Sequence, residues 1–318
     1  MRRNKIGKST VEVTELSFGA AGIGNLFTPV DPAEARDAVD AAWEAGVRYF
    51  DTAPHYGLGL SERRLGEALR GRPRSAYTIS TKVGRLLEPG PGEGDDLGNG
   101  FAVTATHHRV WDFSADGVRR SIEDSLDRLG TDRIDIAYLH DPDDHAEDAF
   151  HHAYPMLERL RSEGMIGAIG AGMNQTAMLT RFLRDTDADL VLCAGRCTLL
   201  DRSALDTLLP EAQARGRSVV VGGVFNSGLL ADPRLDAPYD YGAAPADVLD
   251  RALRMKAVCE RYGVPLRAAA LQFPRRHPAV ASVLAGTRSA AEVHDAAEML
   301  RIDLPEALWD ELAGLGKD

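Results

Sequence analysis

At 318 residues, 44% hydrophobic and 27% charged, with a formal net charge of −11, the chain has ordinary globular composition and ample length for a large core. The acid excess argues against a nucleic-acid or membrane-surface partner. No run of about 18 apolar residues occurs, and the basic start Met-Arg-Arg-Asn-Lys lacks an apolar signal core, so a cytoplasmic location is expected.

Residues 1–14 alternate weakly around Gly7-Lys8-Ser9 and predict a small hairpin. Residues 16–20 read as a first strand, followed by a loop with Gly22 and Gly24. Asp31-Pro32-Ala33-Glu34 is a helix start, with Asp at the N-cap, Pro at N1 and Glu at N3. Ala35, Val39, Ala42 and Trp43 give that helix an apolar stripe, and Gly46 ends it. Val47, Tyr49 and Asp51 then alternate as on a short strand. Pro54, Gly57 and Gly59 break the chain, and Ser61 can cap a helix over 62–69. Residues 77–83 form the next strand, with Lys82 at its end.

Residues 84–112 are rich in Gly and Pro. Low complexity predicts plain mobility for the first half, while Phe101, Trp111 and Phe113 predict packing for the second. Ser114 caps a helix carrying Val118, Ile122, Leu126 and Leu129, closed by Gly130. Ile134, Ile136, Tyr138 and His140 share one face of a strand that ends at the turn Asp141-Pro142-Asp143. Strands follow at 165–171, 190–198, 217–224 and 280–285. Helices are expected at 148–163, 175–184, 203–215, 246–262, 265–276 and 289–300, with a tail helix over 306–315. Cys193, Cys197 and Cys259 read as reduced core thiols, so no metal is expected.

Eight strands, each followed by a helix, fit a (β/α)8 TIM barrel with an N-terminal β-hairpin and a C-terminal tail helix, as a single domain over 1–318. A doubly wound sheet is the alternative. It wants a Gly-x-Gly-x-x-Gly turn, and Gly19, Gly22 and Gly24 have the wrong spacing with no helix start beside them.

Asp51, Tyr56, Lys82 and His140 stand at the C-terminal ends of strands or just beyond, where a barrel does its chemistry. Each alone has a structural explanation: a turn cap, a packed ring, a solvated amine, a core histidine. Together they form a proton-transfer unit. Lys82 favours the phenolate of Tyr56 and is expected to lower its pKa. Asp51 holds the ammonium, and a neutral His140 orients the substrate oxygen. The unit moves a proton but has no electron acceptor, which a nicotinamide would supply.

The stretch Phe-Asp-Thr-Ala-Pro-His-Tyr-Gly at 50–57, with Ser80-Thr81-Lys82 and Tyr138-Leu139-His140, resembles the aldo-keto reductases over nearly the whole chain. The resemblance implies a nicotinamide-dependent barrel enzyme with Asp51, Tyr56, Lys82 and His140 as its catalytic tetrad. The segments at 56–62, 82–87, 140–144, 171–175 and 222–230 resemble its sugar 1-dehydrogenase branch, acting on L-fucose or D-threo-aldoses, with pyridoxal 4-dehydrogenase nearby. The family's Ser-Asn pair is here Gly172-Met173, which makes Asn174 the candidate for the nicotinamide carboxamide. Its ring-stacking tyrosine falls on Gly222, leaving Phe225 as the candidate. Asn226, Ser227, Gly228 and Leu230 belong to a loop expected over the pyrophosphate.

Gly286, Thr287 and Arg288 open a helix whose backbone N–H groups suit a phosphate, and they resemble the family's adenosine-side segment. Where that family often carries a base for the 2′-phosphate, this chain has Glu292, which implies NAD rather than NADP. Substrate contacts are expected from His55, Arg85, Asp141 and Arg196, with Trp111 as a flat wall. The partner implied is a small molecule, an aldose or a pyridoxal-like compound. The alternatives are a general NADPH-dependent aldehyde or ketone reductase, and a nicotinamide-binding sensor or subunit. A metal-dependent hydrolase is weaker, because His107, His108, His151 and His152 lie away from the strand ends.

Overall fold

Eight parallel strands close into a barrel in the computed structural model, which describes residues 1–90, 92–240 and 242–316. They are β1 (Leu16–Gly19), β2 (Tyr49–Asp51), β3 (Thr78–Val83), β4 (Ile134–His140), β5 (Ile166–Met173), β6 (Leu190–Ala194), β7 (Ser218–Gly222) and β8 (Val280–Gly286). Each pairs with the next in the chain, and β8 closes on β1. The expected (β/α)8 barrel is therefore present, with its hairpin (Arg3–Lys5 against Glu12–Thr14) and its tail helix (Glu306–Gly314). Tail-helix residues Leu308, Trp309 and Leu312 pack in a buried apolar cluster with Met255 and Cys259 of the helix Ala246–Arg261.

Helix α1 (Pro32–Glu44) starts as its sequence dictates: Asp31 Oδ1 accepts from Ala33 N at 2.8 Å, with Pro32 at N1. Helix α3 (Ala115–Leu129) is capped by Ser114, whose Oγ accepts from Gly117 N at 3.0 Å, and ends at Gly130 in the left-handed region. Helix α2 (Leu60–Leu69) departs from expectation. It begins after Gly59, at φ +78°, and Ser61 lies inside it. The Ser61 hydroxyl is fully buried, donating to Ala20 O at 2.7 Å and lying 2.8 Å from Thr52 Oγ1. A hydroxyl with two buried partners is held by the core and does not cap.

Inside the barrel, Tyr49, Ile136, Tyr138, Ala168, Leu190, Leu192 and Val220 form a separate apolar cluster. Ile6 and Val13 of the N-terminal hairpin belong to it and plug the lower mouth. Strand side chains alternate, so Tyr49 and Asp51, Ser80 and Lys82, and Tyr138 and His140 share inward faces. The register sets Asp51 beside Ser80 and Tyr138 beside Lys82. The upper layer of the barrel is thus polar, and the layer below it carries phenol rings among aliphatic side chains.

After β3 the chain makes an excursion built from paired strands. Arg85–Pro89 runs antiparallel to His107–Trp111, and Asp95–Asp96 to Phe101–Thr104. The mobility expected for the first half is replaced by this ladder. Its far end is latched onto the loop after β1: Phe27 N donates to Gly100 O at 2.7 Å, and Ala102 N to Asn25 O at 2.9 Å. Gly84, at φ +104°, begins the excursion, and a Cβ there would meet the Phe113 ring at 2.3 Å. Phe101 and Phe113 are buried as expected, whereas Trp111 is 45% exposed.

Candidate active site

Asp51 ends β2 and Lys82 lies one residue from the end of β3, which puts a carboxylate and an ammonium on one rim. Their side chains are 2% and 3% exposed and meet at 2.7 Å. Burying two charges is costly unless the remaining hydrogen-bonding capacity is filled. Lys82 Nζ also donates to Thr52 O at 3.0 Å, and Ser80 Oγ lies 2.6 Å from Asp51 Oδ1. The serine is held from below: its Oγ is 3.0 Å from Tyr49 OH, which is 3.0 Å from Tyr138 OH. A salt-bridged carboxylate only accepts, so Ser80 donates to it. Tyr49 must then donate to Ser80, and Tyr138 to Tyr49. Three hydroxyl dipoles in series point at Asp51 and reinforce one another. Burial pushes both of these phenols well above the usual tyrosine range, which keeps their protons in place.

Tyr56 sits in the turn between β2 and α2. Gly57 follows it at φ +59°, where a Cβ would come within 2.1 Å of Gly24 O, so only glycine makes this turn. Lys82 Nζ is 4.6 Å from the centroid of the Tyr56 ring. The His140 ring stands edge-on to that of Tyr56, 5.9 Å away. The net effect on Tyr56 differs from expectation. Burial raises its pKa, and the charge and hydrogen bond of Lys82 offset this only in part, so the phenol is held above its ordinary value. Lys82 itself is raised, by Asp51 and Tyr56 together, against its own desolvation. Burial and the nearby cations Arg85 and Lys82 push His140 well below the ordinary histidine range, so it is a neutral imidazole. Its Nδ1 is buried without a partner among the described residues, and its Nε2 lies 3.7 Å from Asp141 Oδ2.

Tyr56, Lys82 and His140 line a cavity of about 660 Å³, together with His55, Arg85, Asp141 and Asn174. Leu26, Phe27, Leu97 and Phe101 form its apolar side. Arg85 is ion-paired to Asp141, and its guanidinium stacks 4.3 Å from the Trp111 ring. Trp111 lies in an adjoining recess with His145 and Gln175, next door to the cavity that Tyr56 lines. Arg196 does not line either space: its guanidinium spans Asp201 at 3.4 Å and Asp240 at 3.1 Å. The sequence reading missed Asp96 and Arg109. They form a buried bidentate pair beside His55, with oxygen–nitrogen distances of 2.7 and 2.6 Å. No local signal marked them: His107–Trp111 reads His-His-Arg-Val-Trp, with no apolar alternation to announce a strand inside a stretch read as loop.

The segments assigned to a cofactor follow around the rim, on β5 to β8. Gly222 ends β7, and a Cβ there would meet only Leu284 and Leu192, at ordinary contact distances. Phe225 is half-buried and packs between two apolar clusters. Leu230 is fully buried in one of them, with its N–H given to Phe225 O at 3.0 Å. Asn226, Ser227 and Gly228 all have positive φ. Among the described residues, Asn226 Oδ1 and Thr287 Oγ1 are buried polar atoms without hydrogen-bond partners. A polar ligand lying across the ends of β7 and β8 would satisfy both. The residues present therefore fit a nicotinamide dinucleotide. Gly286 is open, and Arg288 donates to Thr28 Oγ1 at 3.0 Å and to Glu292 Oε1 at 3.2 Å. Glu292 also accepts from Arg288 N at 2.9 Å, closing the first turn of the helix Ala290–Met299.

Known proteins place this geometry. The Aldo/keto reductase family matches residues 15–317. D-threo-aldose 1-dehydrogenase of a Pseudomonas species is 46% identical over 307 residues, covering 95% of this chain and 93% of its own. Pyridoxal 4-dehydrogenase of Microbacterium luteolum is 39% identical, covering 99% and 97%. The holo form of an aldo-keto reductase from Bacillus halodurans superposes with a TM-score of 0.80 at 28% identity, covering 100% and 97%. An oxidoreductase barrel whose family uses nicotinamide cofactors is thus established, and the chain belongs to the aldo/keto reductase family.

Proposed function

We propose that the protein oxidises the C1 hemiacetal hydroxyl of an L-fucose-like aldose to the lactone, with NAD as the preferred acceptor. The observation that carries this reading is the Tyr56 phenol set against the buried Lys82–Asp51 pair and the neutral His140, on a cavity that also carries the polar side chains of Arg85, Asp141 and Asn174. In this reading the whole chain acts as one barrel unit. Bound nicotinamide supplies the hydride acceptor. Tyr56 takes the hydroxyl proton as the C1–H bond breaks, and Lys82 stabilises the phenolate that burial opposes. His140, neutral, hydrogen-bonds the same oxygen and fixes its direction. Arg85, Asp141 and Asn174 offer polar contacts that distinguish hydroxyl epimers, because a wrong isomer leaves a buried polar group unpaired.

The 46% identity to a D-threo-aldose 1-dehydrogenase supports the aldose, and the 39% identity to a pyridoxal 4-dehydrogenase supports the pyridoxal hemiacetal as second choice. The deciding assay is NADH production from L-fucose, L-galactose, D-arabinose and pyridoxal at neutral to alkaline pH, with the lactone identified by mass. Brisk NADPH-dependent reduction of simple aldehydes with no activity on these four would overturn the reading in favour of a general carbonyl reductase.

The preference for NAD rests on Glu292. Its carboxylate already engages Arg288, the cation best placed for a 2′-phosphate, and would repel that phosphate itself. Glu292→Arg removes the repulsion and releases Arg288. The ratio of kcat/KM for NADP to that for NAD is expected to rise by about tenfold or more, since a phosphate–guanidinium pair is among the strong charge-assisted contacts. A wild-type protein that uses NADP as well as NAD would sink the assignment.

A further inference from the structure

We propose that His55 reads a substrate oxygen on the carbon next to the reacting one, and that Asp96 and Arg109 are the positioning residues that aim it. This rests on the proposed function only in taking Tyr56 and His140 as the reacting end of the cavity. His55 precedes Tyr56 in the chain and lines the same space. Its ring is 5.7 Å from that of His140 and 6.0 Å from that of Tyr56.

Arg109 fixes this ring completely. Its Nε donates to His55 Nδ1, and its Nη2 donates to the His55 carbonyl at 2.8 Å. The guanidinium is in turn gripped by both oxygens of Asp96, whose side chain is 5% exposed and also accepts from Asn99. Phe101, fully buried, meets the ring edge-on at 5.2 Å. Arginine carries only donors, so Nδ1 must be the bare, accepting nitrogen, and the single ring proton sits on Nε2. That N–H has no partner among the described residues, and it is not sealed away from the cavity.

The ring is also barred from carrying a second proton. Burial and the charges of Arg85, Arg109 and Lys82 hold its pKa down to about 2. His55 is therefore a fixed, neutral donor, unsuited to proton transfer. The reacting oxygen is already served by Tyr56 and His140. A second donor beside them needs a second acceptor beside the reacting carbon. The substrate class that supplies it is an aldehyde or hemiacetal with a hydroxyl on the adjacent carbon. A simple alkanal would close the site over an unpaired N–H.

The test compares kcat/KM for NADH-dependent reduction of lactaldehyde and propanal, a pair differing only in the adjacent hydroxyl. Small aldehydes keep the measurement independent of whether an aldose is the substrate. In His55→Phe the ratio lactaldehyde to propanal is expected to fall by about tenfold or more relative to wild type. Arg109→Leu and Asp96→Asn should lower the same ratio by smaller factors. A structural role would lower both substrates alike and leave the ratio where it was, which overturns the proposal. A second measurement needs no variant. The 15N spectrum of the wild-type protein should show His55 as the Nε2–H form throughout pH 5 to 8, and titration in that range overturns the proposal as well. A shifted ratio together with inactivity on every aldose would sink the proposed function while leaving this inference standing.

Discussion

Tyr56→Phe is expected to lower kcat by about a thousandfold, roughly 4 kcal/mol, while nicotinamide binding measured by fluorescence titration stays near wild type. The variant deletes one hydroxyl and keeps the ring, which packs edge-on to His140 and beside Phe101. Lys82 keeps Asp51 and the Thr52 carbonyl, so the pair beneath stays assembled. What disappears is the phenol proposed to exchange a proton with the substrate oxygen, and His140, held neutral, does not replace it. A variant that retained more than about a tenth of kcat would have lost less than ~1.4 kcal/mol, too little for that role. The pH profile carries a second expectation. In the proposed reaction oxidation needs the phenolate, and burial holds the Tyr56 pKa above its ordinary value. The oxidative rate should therefore climb as pH rises through the alkaline range, whereas reduction, which needs the phenol, should not. A flat oxidative profile in the wild type would argue for a different base.

The barrel and its four polar residues were legible because both depend on short periods. A strand repeats every two residues, so Ile136, Tyr138 and His140 announce one face, and Ser80 and Lys82 another. Helix starts at Asp31 and Ser114 depend on a few neighbouring atoms and came out as read. Ser61 has the same local chemistry, yet the fold offered it Ala20 and Thr52, two buried partners from earlier in the chain. No local rule sees such a competition. The pKa of Tyr56 failed for a related reason. Lys82 was visible as a charge, but the desolvation that outweighs it is a property of the closed site.

Residues 84–112 hid the most. Glycine and proline suggested a loop, and the ladder that orders it pairs Arg85 with Trp111 and Asp95 with Thr104. The pairing of Arg85 with Trp111 spans more of the chain than a periodicity window covers. Asp96 and Arg109 become recognisable only when that ladder brings them to His55. Arg196 is the converse case. It lies just past a strand end, where a substrate contact is reasonable, and the fold turns it outward to Asp201 and Asp240.

Lys82→Met should be the most damaging single change, and it strikes stability and turnover together. The ammonium and the Asp51 carboxylate are almost wholly buried at 2.7 Å. Removing the cation leaves a buried anion whose one remaining hydrogen-bond donor among the described residues is the Ser80 hydroxyl, and breaking such a pair costs about 3–5 kcal/mol. Thermal unfolding should register this as a large drop in Tm. Turnover should fall on the same scale as in Tyr56→Phe, because the charge that opposes burial of the phenolate is gone. The two effects separate in the double variant Asp51→Asn/Lys82→Met. With both charges removed, no uncompensated ion stays in the core, so most of the lost stability should return. Activity should not, since nothing then favours the phenolate of Tyr56. Calorimetry and kcat on the same three proteins decide the matter. A single variant that melts like wild type would contradict the buried pair, and a double variant that regains turnover would reduce Lys82 to a structural counter-ion.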